Sequence, residues 1–167
     1  MSQDSRPLYR RVDHAVRWDK SIHIQAPPET VYAWLSPERA AAWNPRIVRA
    51  ETTTPASVHR TERLRGHRFE ATYALTAQEP GHHLAWRQDR GDYARAEEDF
   101  TLTVTPDGAT TLRWRITHDY AHVLPFFATD DELRREESRA ADDALYNLKS
   151  LAERTARAAR SQGGQRE

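Results

Sequence analysis

The chain has 167 residues, with 25 Lys and Arg against 25 Asp and Glu, and no cysteine. That length suits one domain that buries about 70% of the surface its unfolded form exposes. Zero net charge gives no pull toward nucleic acid or acidic lipid, and the missing thiols exclude disulfides, thiolate nucleophiles and Cys-based zinc or iron–sulfur sites.

All but two of the cations, Lys20 and Lys149, are arginine, and they read as solvated faces rather than a basic patch. Residues 1–14 are polar without an apolar h-region, and no run of about 18 apolar residues occurs. A cytoplasmic protein without membrane insertion is expected. It divides into a polar leader at 1–15, one domain at 16–154 and a frayed polar tail at 155–167.

Residues 16–26 alternate, with Trp18, Ile22 and Ile24 on one face and Arg17, Asp19, His23 and Gln25 on the other, which predicts a half-buried strand. Pro27 and Pro28 stop it, and Pro28 opens a short helix in which Val31, Trp34 and Leu35 share a face. Ser36 and Pro37 restart a second helical turn through Ala42, closed by Trp43, Asn44 and Pro45.

Five extended runs follow, at 47–54, 58–65, 67–78, 82–88 and 95–105. Pro55 with Ser57, Gly66, Pro80 with Gly81, and Gly91 with Asp92 separate them, so successive hairpins build an antiparallel meander. In the third run Phe69, Ala71, Tyr73 and Leu75 point inward; Phe100, Leu102 and Val104 do so in the fifth. After the Pro106, Asp107, Gly108 turn, residues 112–120 place Leu112, Trp114, Ile116, His118 and Tyr120 on one face. This apolar stripe ends in two titratable groups, the pattern of a pocket lining.

Beyond the apolar loop 123–127, Thr129 and Asp130 are N-cap candidates, and Asp131, Glu132, Glu136 and Glu137 favour the positive end of a helix dipole. Leu133, Ala140, Ala141, Ala144, Leu145, Leu148, Leu151 and Ala152 form one stripe of a long amphipathic helix that fades toward Gly163 and Gly164. These elements bury their apolar faces if the sheet curves around the last helix, an α+β helix-grip arrangement of seven antiparallel strands with two short helices after the first.

Residues 21–27 (SIHIQAP), 28–36 (PETVYAWLS), 43–45 (WNP), 75–86 with its Glu79, Pro80, Gly81 turn, 100–104, 106–108 and the closing helix give the chain a resemblance. It resembles the START-like, or SRPBCC, superfamily, and in particular its polyketide cyclase/dehydrase and lipid-transport branch. The resemblance implies a deep, mainly apolar cavity between sheet and helix for a hydrophobic or aromatic small molecule. Members cyclise polyketides, carry lipids or isoprenoid quinones, or activate chaperones. The glycine-rich loop of the allergen-like branch and the iron triad of ring-hydroxylating oxygenases are missing, so neither of those two activities is expected.

His118 is the first candidate for a general acid or base, because imidazole titrates near neutrality; the alternative is a half-solvated strand end. Tyr120 shares its face and can donate to a ligand carbonyl or cap the core. Glu98 lies in phase with Phe100 and Leu102, and an inward carboxylate needs a partner unless a bulge turns it out. Val58 and Leu64 define a face that also carries Arg60 and Glu62, either as a buried pair or, as four charges on a short strand favour, exposed. His67 is in phase with Phe69 yet follows Gly66, so it belongs either to the site or to the turn.

Trp43, Tyr73, Trp86, Phe100 and Trp114 are ring-stacking candidates as well as core filling. Phe126 and Phe127 are lid candidates. His82 and His83 point to opposite faces of a strand and do not suit one metal ion; no metal or cofactor is expected. The reading is a cofactor-independent cyclase or dehydratase acting on a polyketide-like or aromatic intermediate, working as monomer or homodimer. The rivals are a carrier or sensor of a hydrophobic molecule, and a protein-interaction module built on the Phe126 and Phe127 loop.

Overall fold

The computed structural model describes residues 15–120 and 130–164. The chain runs through β1 (Ala15–Ile24), α1 (Pro28–Trp34), a 3₁₀ turn (Pro37–Arg39), α2 (Ala40–Trp43), β2 (Ile47–Thr54), β3 (Ser57–Leu64), β4 (His67–Glu79), β5 (His83–Gly91), β6 (Tyr93–Val104), β7 (Thr110–Tyr120) and α3 (Asp130–Gly163). The strands form one antiparallel sheet in the order β1-β7-β6-β5-β4-β3-β2. Short turns join β2 through β7 in a meander. The two short helices carry the chain from one border of the sheet to the other.

Register fixes which side chains face inward. Ala96 pairs with His118, Glu98 with Ile116, Phe100 with Trp114 and Leu102 with Leu112, while Val16 pairs with His118 and Trp18 with Ile116. Directly opposed residues share a face, so His118, Glu98 and the Trp114 ring stand on the concave side. On the convex side Arg113 meets Asp19, Arg115 and His83 meet Asp99, and Arg87 meets Glu97. Such exposed pairs each contribute about 0–1 kcal/mol and chiefly keep that face wet.

The helix α3 buries Leu133, Ala141, Ala144, Leu145, Leu148, Ala152 and Ala156, a repeat of three and four that rests on β1, α1 and α2. Polar ties fix its position: Lys20 Nζ reaches Asp142 at 2.6 Å, Lys149 Nζ reaches the His23 carbonyl at 2.6 Å, and Trp34 Nε1 reaches Thr155 Oγ1 at 3.1 Å. The frayed tail expected from residue 155 is instead helix as far as Gly163, because its alanines and arginines are strong helix formers. The expected lid, with Phe126, Phe127 and the Thr129 cap, lies outside the described residues. No helix among the described residues is long and apolar enough to cross a membrane.

Aromatic rings fill the centre. Trp114 stacks on Phe100 at 5.3 Å and meets Trp18 edge-on at 4.3 Å and Trp43 at 5.6 Å. Three of the expected ligand-stacking rings, Trp43, Phe100 and Trp114, thus pack against one another.

Candidate functional site

At the end of the grip where β7 finishes and α3 begins, the interior turns polar. Arg46 lies just past α2, where Asn44 Oδ1 accepts its backbone N–H at 3.1 Å. Its guanidinium donates to Glu137 on α3, to the Tyr93 hydroxyl at 2.6 Å and to the Tyr120 hydroxyl at 3.0 Å. Each tyrosine passes the bond onward: Tyr93 donates to Glu62 Oε2 at 2.5 Å, and Tyr120 donates to Glu137. His118 Nδ1 faces Glu137 Oε2 at 3.3 Å and its ring stacks on Tyr93 at 4.9 Å. Arg46, Glu62, His118, Tyr93, Tyr120 and Glu137 are all buried.

A second pair sits alongside. Arg60 Nη1 donates to Glu98 Oε2 at 2.5 Å, Trp114 Nε1 donates to Glu98 Oε1 at 3.0 Å, and the Arg60 guanidinium lies over the Tyr73 ring at 4.5 Å. Both Arg60 and Glu62 are therefore inward, against the exposed reading that four charges within residues 58–65 favour. The Arg60–Glu98 ion pair between β3 and β6, and the Tyr93 hydroxyl that donates to Glu62, offset the desolvation that would otherwise turn those side chains out. Glu98 likewise needs no bulge, because Arg60 and Trp114 supply its partners.

Burial is the largest single influence on these groups. It works against the Arg46 and Arg60 charges, but Tyr93 and Tyr120 around Arg46, and Glu98 beside Arg60, outweigh it and hold both above the ordinary arginine range. Burial pushes the Tyr73, Tyr93 and Tyr120 hydroxyls up, so they remain donors at neutral pH. Burial, then the Arg46 and Arg60 charges, push His118 well below the usual imidazole range. A neutral ring that donates Nδ1–H to Glu137 carries its acceptor lone pair on Nε2. With His118 neutral, the cluster sets two guanidiniums against the carboxylates of Glu62, Glu98 and Glu137.

The hollow enclosed by this cluster is about 20 Å³ and is lined by His118, Glu62, Glu98, Glu137, Arg46 and Trp114 among others. That is room for about one water. The deep apolar cavity implied by the resemblance is thus replaced, among the described residues, by packed rings at one end and ionisable groups at the other. Three donors near it, the Nε–H of Arg46 and of Arg60 and the Tyr73 hydroxyl, lack a hydrogen-bond partner among the described residues. A larger hollow of about 370 Å³ lies over β5, β6 and β7, where Arg87, Glu97, Asp99 and Arg115 already neutralise one another.

The structure therefore brings together His118, Tyr120, Glu98, Arg60, Tyr73 and Trp114 of the residues singled out from sequence. His67 opens β4 beside Leu64, half-buried, and does not line the central hollow. Trp86, inward on β5, belongs to a different hollow between the short helices and the sheet. Among the described residues no three His, Asp or Glu side chains group to hold a metal; His83 bonds Asp99 at 2.8 Å instead.

Sequence reasoning missed Arg46, Tyr93 and Glu137. Glu137 carried a signal, lying four residues after Leu133 and four before Ala141 on the buried stripe. Tyr93 is turned inward by a register shift between Tyr93 and Arg95, so it breaks the alternation set by Ala96 and Glu98. Arg46 lies between α2 and β2, where no period applies.

A curved antiparallel sheet gripping a long C-terminal helix, with ionisable groups at the seam, is the helix-grip fold of the START-like class. A sequence profile for the polyketide cyclase/dehydrase and lipid transport family matches residues 15–153, and the chain belongs to that family. A search of curated proteins found no match. Among solved structures, the Zhui aromatase/cyclase of Streptomyces sp. R1128 superposes with a TM-score of 0.71 at 18% identity, covering 87% of this chain and 98% of that one. A START superfamily protein of Mycobacterium smegmatis gives 0.70 at 15% identity, over 83% and 98%. The di-domain aromatase/cyclase StfQ of the steffimycin biosynthetic pathway gives 0.67 at 17%, over 85% of this chain and 52% of that one.

Proposed function

We propose that this protein is a cofactor-independent acid–base catalyst of the cyclase or dehydratase type, acting on an aromatic or polyketide-like carbonyl compound held between sheet and helix. One observation carries the reading: His118, Arg46, Glu62, Glu98 and Glu137 line one hollow, with Tyr93, Tyr120 and Arg60 bonded to those carboxylates just behind it and spare donors close by, where a carrier needs only apolar shape. The spare Nε–H of Arg46 and the unpartnered Tyr73 hydroxyl polarise a substrate carbonyl and receive its developing negative charge. His118 Nε2 takes the adjacent C–H proton, and the resulting enolate carbon forms a bond to a second carbonyl of the same molecule, whose oxygen takes a proton. Loss of that oxygen as water, with a second proton taken from carbon, completes the dehydration.

A ring does not fit a hollow of about 20 Å³, so substrate access requires the first turns of α3 to part from the sheet. The family relationship and the likeness to aromatase/cyclases support this chemistry. Its test is deuterium uptake at the acidic C–H of 1-phenyl-1,3-butanedione, followed by NMR in D₂O. Acceleration at least tenfold beyond equimolar free imidazole is expected, and its loss in folded His118→Gln. Binding of the diketone without acceleration would identify a carrier instead and overturn the proposal.

A further inference from the structure

A second hollow, of about 180 Å³, opens between α1, the 3₁₀ turn and strands β2 to β5. No α3 residue lines it, so it is separate from the seam that holds the ionisable cluster. Its inner wall is made by Leu84 and Trp86, which share the concave face with their register partners Phe100 and Glu98, and by Tyr32 of α1. Ser36, Thr52 and Gln78 contribute polar groups around it.

Two features specify an occupant. Every residue that lines the hollow is uncharged, in a chain of which 30% is charged, so nothing there offsets the desolvation of an ion. At the rim Thr52 Oγ1 donates to Glu38 at 2.6 Å, which sets a carboxylate against any anion that approaches. The buried Tyr32 hydroxyl has no well-formed hydrogen bond; burial raises it above the ordinary tyrosine range, with the Gln78 side chain opposing that rise. It remains a donor for a guest oxygen. A cavity of about 150 Å³ already admits benzene, so this one suits one or two fused rings.

We infer that the hollow bounded by Tyr32, Gln78, Leu84 and Trp86 is a binding site for a small, neutral, planar aromatic molecule bearing a hydroxyl or carbonyl oxygen. The rings lie against Trp86 and Leu84, and the oxygen meets Tyr32 or Gln78. The inference does not depend on the acid–base proposal, since none of its residues belongs to that cluster.

The test is a titration of the full chain with 2-naphthol, with 2-naphthoate as the charged control, followed by ¹H–¹⁵N spectra. Expected are a dissociation constant below about 1 mM for the naphthol, shifts centred on Tyr32, Gln78 and the Trp86 indole, and binding at least tenfold weaker for the naphthoate. Ala33→Leu, on the exposed side of α1 at the mouth of the hollow, should weaken naphthol at least fivefold. It should leave thermal stability and diketone exchange unchanged. Shifts centred on His118, equal affinity for the naphthoate, an unaffected Ala33→Leu variant, or no saturable binding would each overturn the assignment.

Discussion

Glu137 on α3 meets His118 on β7 at 3.3 Å while its other oxygen accepts from Arg46 and Tyr120. One helical carboxylate thereby holds three donors, two from β7 and one from the segment between α2 and β2.

Removing that carboxylate leaves the Arg46 charge buried without its ion pair. Glu137→Ala should cost about 3–5 kcal/mol, and Glu137→Gln, which keeps the shape, about 1–3 kcal/mol. Urea denaturation measures both; a loss below 1 kcal/mol for Glu137→Ala would show that Arg46 finds another partner.

His118 sets a pH dependence. Its folded value lies below the unfolded one, so as pH falls below about 6.5 the unfolded chain takes up a proton that the native ring refuses. Stability should therefore be full above about pH 7 and decline toward pH 5, and His118→Gln should flatten that slope. Denaturation midpoints at half-unit pH steps check it, and an unchanged slope in the variant would assign the effect elsewhere.

The Arg60 and Glu98 pair is the opposite case. Each single change, Arg60→Met or Glu98→Leu, leaves a buried charge alone and should destabilise by about 3 kcal/mol or more, while the double variant should recover most of that loss. A double-mutant cycle reads the coupling directly; additive losses would mean the pair is not the unit.

Gly91 stands at a φ of 144°, and a Cβ there would strike the Glu70 carbonyl and approach Ala71 Cα to 2.6 Å. Gly91→Ala should cost about 2 kcal/mol or more. Gly66→Ala, with φ 78° but open space around it, should cost about 1 kcal/mol. Equal losses at the two sites would mean that β4 yields to the extra carbon.

These variants also mark where the sequence is legible. The β7 stripe was readable because a period of two runs unbroken from Leu112 to Tyr120, which places His118 and Tyr120 inside without any tertiary knowledge. Arg60 and Glu62 share the phase of Val58 and Leu64, yet their charge argues for water, and only the long-range partners Glu98 and Tyr93 on β6 reverse that. Tyr93 escaped because a bulge resets the phase, and Arg46 because its orientation comes from long-range partners. The small hollow was illegible for a different reason: whether facing side chains leave room depends on volumes summed across elements, which no single strand records.

The border strand β2 slips register twice against β3, between Ile47 and Arg49 and between Thr52 and Thr54, and carries the exposed Arg49 and Glu51 pair. A straight row of free amides is what lets one sheet graft onto another, and the two slips leave β2 in regular register only over residues 49–52. That matters for a molecule whose proposed chemistry needs α3 to lift away: while the core is briefly uncovered, this kinked, charged margin guards against aggregation.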